Sequence, residues 1–208
     1  LLVSQGKFAD AEPLYERSQA IREKVLGPQH PNVAQSLNNR AGLLGISGPL
    51  YEHSLAIREK VYGPDHPAVA TSLNNRAGLL ESQGKYDDAE PLYERAQAIR
   101  EKVLGPEHPD VAQSLNNRAG LLRIGKYTDA EPLYARATEI WEKALGLEHP
   151  LVATALNNRA RLLESQGKYD DAEPLYVRAI TIGEKALGPE HPDLAVWLNN
   201  RAELLRAQ

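Results

Sequence analysis

Apolar residues along the chain fall into two alternating patterns. From position 67 onward, Val69, Leu73, Ala77 and Leu80 recur at the three- and four-residue spacing that lays one stripe along a helix, and Gln83-Gly84 stops the run. A second stripe follows in Ala89, Leu92, Tyr93, Ala96, Ile99 and Val103. Pro91 falls in its first turn, where the missing N–H costs at most about one hydrogen bond. Asp87 and Glu90 are expected to form an acidic capping box at its start, and Gly105 to close it. Pro106-Glu107-His108-Pro109 then forces an extended link, because a residue preceding proline avoids the helical region. Two helices, A and B, joined by a tight corner and followed by a link are an antiparallel helical hairpin.

The hairpin repeats. Leu-Asn-Asn-Arg-Ala begins at Leu37, Leu73, Leu115, Leu156 and Leu198, and the Pro-Leu-Tyr leucines Leu92, Leu133 and Leu175 stand 41 and 42 residues apart. Leu14 to Leu50 is only 36, because Gly45-Ile46-Ser47-Gly48 replaces a corner of about ten residues. A stub of helix A at 1–5 and units at approximately 6–44, 45–80, 81–122, 123–163 and 164–208 are expected to form a single solenoid. The clipped hairpin at Gly45 to Pro49 should shorten both its helices by less than a turn. With no methionine and an opening at Leu1 inside an apparent helix turn, the chain reads as a fragment of a longer one.

At these residues a family resemblance becomes specific. Leu-x-x-x-Ala-x-x-Leu, Gly-Lys-Tyr, an alanine and Tyr-x-x-Ala resemble the tetratricopeptide repeat. The longer unit, with Leu-Asn-Asn and Leu-Gly-Pro-Glu-His-Pro-Asp-Val, resembles the kinesin light chain subtype over essentially the whole chain. The resemblance implies an all-α fold, an α-solenoid built as a right-handed superhelix of tandem antiparallel hairpins. It also implies a protein or peptide ligand in the concave groove. Three departures stand out: the row Arg40, Arg76, Arg118, Arg159 and Arg201 where the subtype usually has leucine, the clipped second hairpin, and one residue lost before Gly125.

Charge narrows the function classes. The 24 basic and 28 acidic residues give −4 without a block of either sign, so neither nucleic acid nor a membrane surface is an expected partner. With no cysteine there is no disulfide or thiolate site, which fits a cytoplasmic protein. His30, His66, His108, His149 and His191 recur once per unit and never cluster. A role at the entrance of each helix A therefore outweighs a metal site, whose ligands must lie within about 2–3 Å of one ion. No nucleophile, carboxylate dyad or phosphate loop stands out, so neither an enzyme nor a cofactor is expected.

On a helical wheel with the first asparagine of each Leu-Asn-Asn at zero, the preceding leucine lies at about 260° and the alanine at about 300°. The row Asn38, Asn74, Asn116, Asn157 and Asn199 should therefore point away from the hairpin core, and the resemblance makes that direction the peptide-binding groove. A structural ladder between adjacent A helices is the competing reading. Gln113, Thr71, Thr154, Arg161 and Glu81 are expected to tune selectivity on the same face. Gly42, Gly78 and Gly120, one turn later, signal close approach either by a ligand or by a neighbouring helix.

The arginine row lies inside the apolar arc. A buried charge needs a partner, so Arg76 is expected near Tyr93 and Glu90, Arg118 near Tyr134 and Glu131, and Arg159 near Tyr176 and Glu173. A basic stripe for an acidic ligand is the alternative. Glu139, Trp141, Arg161, Trp197 and Glu203 replace Ala, Arg, Gly, Ser and Gly of earlier copies, and each tryptophan is a candidate either for ligand contact or for gap filling. Other possible roles are a sensing arm of a multidomain receptor or adaptor, and a scaffold stacking end to end.

Overall fold

The computed structural model describes residues 8–44 and 48–208, which form ten α-helices and no strand. The expected stub at 1–5 and the tip 45–47 lie outside the described residues. Residues 1–103 and 104–208 make two compact units. The first holds α1 (Phe8–Leu26), α2 (Pro31–Leu44), α3 (Gly48–Tyr62), α4 (Pro67–Ser82) and α5 (Tyr86–Leu104). The second holds α6 (Pro109–Leu122), α7 (Tyr127–Leu145), α8 (Pro150–Ser165), α9 (Tyr169–Leu187) and α10 (Pro192–Ala207). Even-numbered helices carry Leu-Asn-Asn and are the A helices; odd-numbered ones are B helices.

Each A helix opens in the same way. Proline at the first helical position has its fixed φ preset for a helix and needs no partner for an N–H. The histidine before it is extended, and its Nδ1 accepts the N–H two residues on, at 3.1 Å from Asn32, Ala68 and Asp110 and 3.2 Å from Leu151 and Asp193. The histidines are therefore N-caps, each satisfying one of the free amides of a helix start. The link before them turns at glycine, Gly105 at φ +88°, a region that disfavours any side chain.

The B helices start differently from expectation. α5, α7 and α9 begin at the corner tyrosine itself, and the preceding residues Lys126 and Lys168 cap α7 and α9 with no side-chain bond. The acids sit inside the first turn, as Asp87 and Asp88 do in α5, where they complement the positive end of the helix dipole rather than forming a capping box. Ala89, Ala130 and Ala172 are fully buried where the helices approach, but Tyr86 and Tyr127 stay over a third exposed and only Tyr169 packs on a core cluster.

Both described helices beside the clipped tip are shorter than their counterparts: α2 has 14 residues against 16 in α4, α8 and α10, less than a turn, and α3 has 15 against 19 in the other B helices, about one turn. The clipped hairpin still joins the stack: Ile57 and Leu50 pack on Val33, Ala34 and Leu37, and Tyr51 on Ala41 and Leu79. In the second unit one cluster runs from Val111 and Leu115 through Trp141 and Leu156 to Leu194 and Trp197. Fully burying each such leucine contributes about 1.5–3 kcal/mol.

Candidate binding face of the A helices

The first asparagine is not the most accessible residue of its helix. Asn38, Asn116 and Asn157 are 8%, 8% and 4% exposed, Asn74 is half-buried, and only Asn199, on α10, is exposed. Their oxygens are engaged: Asn75 Nδ2 donates to Asn38 Oδ1 at 3.2 Å, Asn158 Nδ2 to Asn116 Oδ1 at 3.2 Å, and Asn200 Nδ2 to Asn157 Oδ1 at 2.9 Å. The second asparagine of one repeat thus bonds the first of the repeat before it, the geometry of a ladder between A helices. The open side of each A helix is centred about 70° away, between the Arg161 position and the second asparagine.

The expected selectivity residues lie on that open side with part of their hydrogen-bonding capacity committed. Gln113 Nε2 donates to Asn117 Oδ1 at 2.8 Å, and the hydroxyls of Thr71 and Thr154 donate to the carbonyls of Pro67 and Pro150. Arg161 is exposed. Glu81 belongs instead to the hairpin, accepting the Tyr93 hydroxyl at 2.9 Å, and Glu164 accepts that of Tyr176 at 2.7 Å. Burial, then the neighbouring glutamate, pushes both phenols far above their ordinary range; at Tyr176 the charges of Arg161 and Arg123 work against that rise. The glycines answer to the same tyrosines: a Cβ on Gly42, Gly78 or Gly120 would stand 3.5–3.6 Å from the hydroxyl of Tyr51, Tyr93 or Tyr134, an ordinary contact.

The arginine row is paired, but with the B helix before it rather than the one after. Arg40 Nε meets Glu12 at 2.7 Å and its Nη2 meets Glu16; Arg76 meets Glu52 at 2.7 Å, Arg159 meets Glu131 at 2.7 Å and Arg201 meets Glu173 at 3.1 Å. In α3, Gly48 stands at the Glu12 position, and Glu52, one turn on, takes the arginine instead. Trp141 and Trp197 are 1% and 3% exposed, so both fill the core and neither is offered to a ligand. Trp141 Nε1 donates to the Pro109 carbonyl at 3.2 Å.

One recess on this face lay outside the sequence reading. Arg123, Arg161, Glu164, Tyr169, Asn200 and Glu203 line a cleft of about 400 Å³ in the second unit. Arg123 occupies the position of Glu81 and Glu164, a departure hidden by the residue lost just after it. Among the described residues no group of three or more His, Asp or Glu side chains is placed to hold a metal, and no helix is long and apolar enough to cross a membrane.

Comparison with known proteins follows the same lines. The family profile "Tetratricopeptide repeat" matches residues 1–48, 46–100, 69–123, 120–185 and 152–208. A search of curated proteins finds no significant match. Among solved structures, BtubC (BKLC) from P. vanneervenii is similar at a TM-score of 0.79 and 22% identity, over 98% of this chain and 83% of that one. A Podosopora anserina kinesin light chain with nearly identical TPR-like repeats has a TM-score of 0.70 and 27% identity, over 88% and 90%. A Rap protein complexed with competence and sporulation factor has a TM-score of 0.73 and 18% identity, over 98% and 62%. With five profile matches spanning its length and helix hairpins of the long kind, the chain belongs to the tetratricopeptide repeat family and resembles its kinesin light chain-like members.

Proposed function

We propose that the protein is an interaction module that holds an extended segment or surface of another protein on the open side of its A helices. The observation that carries this reading is the polar row of the second unit: Gln113 and Asn117 on α6, Thr154, Asn158 and Arg161 on α8 and Asn200 on α10, all half-buried or exposed. Carboxamides and hydroxyls suit a peptide backbone, which presents donors and acceptors whatever its sequence. The asparagine ladder holds the row in place, so little ordering entropy is lost on binding. Asn116 and Asn157 act at its edge, as supports of the residues that touch the ligand. A Rap protein of similar fold was crystallised in a complex with competence and sporulation factor, which supports a binding role.

The test is a random-peptide display screen on the full chain, repeated with Thr154→Ala/Asn158→Ala and with Asn74→Ala/Asn116→Ala/Asn157→Ala. Selected peptides should lose most of their affinity to the first variant and part of it to the second. Peptides that bind the first variant as well as the parent would refute the assignment of this face.

A further inference from the structure

We infer that Arg58 is a positioning residue for the open face: it makes Gln35 a fixed donor that reads a carbonyl of the bound chain, whereas Gln113, at the same repeat position, also accepts a ligand N–H. This role rests on the open side of the A helices being the binding face.

The two glutamines start alike. Each stands two residues before the Leu-Asn-Asn leucine of its helix, and each donates Nε2 to the second asparagine, Gln35 to Asn39 Oδ1 at 2.7 Å and Gln113 to Asn117 Oδ1 at 2.8 Å. Gln35 is exposed and Gln113 half-buried, so both amides border solvent. A carboxamide turned end for end keeps its shape, and only its partners decide which atom is presented.

The partners differ. Arg58 on α3 is 5% exposed, and its Nη1 is committed to Ser72 Oγ at 2.8 Å and the Ala68 carbonyl at 3.0 Å. Its Nη2 donates to Gln35 Oε1 at 2.8 Å. A guanidinium has donors only and stays charged, so the amide atom it meets must be the oxygen. The Gln35 oxygen is thereby occupied, one N–H is held by Asn39, and the second N–H is what remains for a ligand. Because α4 anchors the arginine, the amide is ordered before anything binds.

In the second unit Trp141 stands at the Arg58 position. An indole has one N–H, and that of Trp141 goes to the Pro109 carbonyl at 3.2 Å. Gln113 Oε1 takes no donor among the described residues, so it is open to a ligand N–H beside the N–H that Gln113 shares with Gln35. The residue beneath the face thus sets which backbone group the face reads.

The experiment is an NMR titration of the full chain, following the side-chain amide signals of Gln35, Asn39, Gln113 and Asn117. The probes are hexaglycine and hexasarcosine, both acetylated and closed as dimethylamides; the second keeps the carbonyls and has no N–H. The apparent Kd at Gln35 should be the same for both probes, and that at Gln113 about fivefold weaker for hexasarcosine, the loss of one neutral hydrogen bond. Arg58→Trp with Ser72→Ala should give Gln35 the same fivefold preference for hexaglycine. Gln35→Glu supplies a check that a folding defect cannot imitate. Its carboxylate pairs with Arg58 and should hold the urea midpoint at or above the parent's, yet it has no donor, so both probes should bind about fivefold more weakly at Asn39. An equal preference at the two glutamines of the parent overturns the proposal. So does a double variant that keeps the parent's pattern, undiminished binding by Gln35→Glu, or no shift at Gln35 with either probe. If display-selected peptides depend on Thr154 and Asn158 while the two glutamines respond alike, the face stands and the role of Arg58 falls. If selected peptides ignore Thr154 and Asn158 while the glutamines still differ, the role of Arg58 stands and the wider row falls.

Discussion

Between a B helix and the next A helix, the two halves of the molecule fill the same space with different chemistry. In residues 1–103 it is polar. Arg22 Nη1 donates to Ser36 Oγ at 2.6 Å, and Arg58, 5% exposed, donates to Ser72 Oγ at 2.8 Å, the Ala68 carbonyl at 3.0 Å and Gln35 Oε1 at 2.8 Å. In residues 104–208 it is aromatic. Trp141 stands at the arginine position opposite Ala155, and in the next repeat the bulk changes sides, with Gly183 opposite Trp197. A repeat framework specifies the volume of this seam and leaves its chemistry free, provided both partners change together. Removing the bulk tests this most severely. Trp141→Ala, at 1% exposure, should lower stability by about 3–5 kcal/mol, read as the shift in a urea unfolding curve.

Adding bulk to the wrong partner should cost somewhat less. A Cβ on Gly183 would start 2.5 Å from a ring carbon of Trp197, so Gly183→Arg should destabilise by about 1–3 kcal/mol in the parent chain. In the Trp197→Ser background the same change recreates the arginine–serine seam and should be neutral or stabilising. Equal costs in the two backgrounds would mean that the two positions are not one packing unit.

The sequence showed the helices and the repeat because proline, glycine and apolar spacing are local signals. It misplaced what depends on a third helix. The wheel drawn for one hairpin knows where its own B helix lies but not where the next A helix packs, so it aimed the first asparagine outward, whereas Asn38, Asn116 and Asn157 are buried and each accepts a bond from the next A helix. The same blindness paired Arg159 with Glu173 across its own hairpin, although α7 supplies Glu131 from behind. Arg123 went unread because the lost residue beside it breaks the register by which the copies are compared.

A feature that the halves share provides the control for the seam. Tyr93 and Tyr176 have phenols raised by burial and by Glu81 and Glu164. The unfolded chain therefore gives up these protons first. Stability contributed by the pairs is fully present below about pH 10 and declines as pH rises further, by at most about 1.4 kcal/mol per pH unit for each tyrosine. Tyr93→Phe and Tyr176→Phe should each flatten the alkaline limb of a stability-against-pH curve by a similar amount. Flattening by only one of them would show that the halves differ in more than their seams.

Whether the two seams are interchangeable can be asked directly. Arg58→Trp combined with Ser72→Ala gives the first half the second half's solution. Buried ionic groups are often replaceable by well-packed apolar ones of similar volume, so the double variant should fall within about 1 kcal/mol of the parent. Arg58→Trp alone leaves Ser72 crowding the ring and should be worse than the pair. A double variant that fails to fold would make the arginine a requirement of the first half rather than one filler among others.

The smallest effect concerns a position of the open face that is glycine in α2, α4 and α6 and arginine in α8. Gly78 and Arg161 are equivalents, and the Cβ that alanine would add at Gly78 meets only the Tyr93 hydroxyl, at 3.5 Å. Nothing in the packing demands glycine there, whereas a helix interior favours alanine over it by about 1 kcal/mol. Gly78→Ala should therefore raise stability by about 0.5–1 kcal/mol in urea unfolding, with no change in the Tyr93 to Glu81 hydrogen bond. A loss of stability would mean that the A and B helices at this level are already in tighter contact than 3.5 Å allows. The arginine at position 161 would then owe its place to a local widening of the second half rather than to the open side of α8.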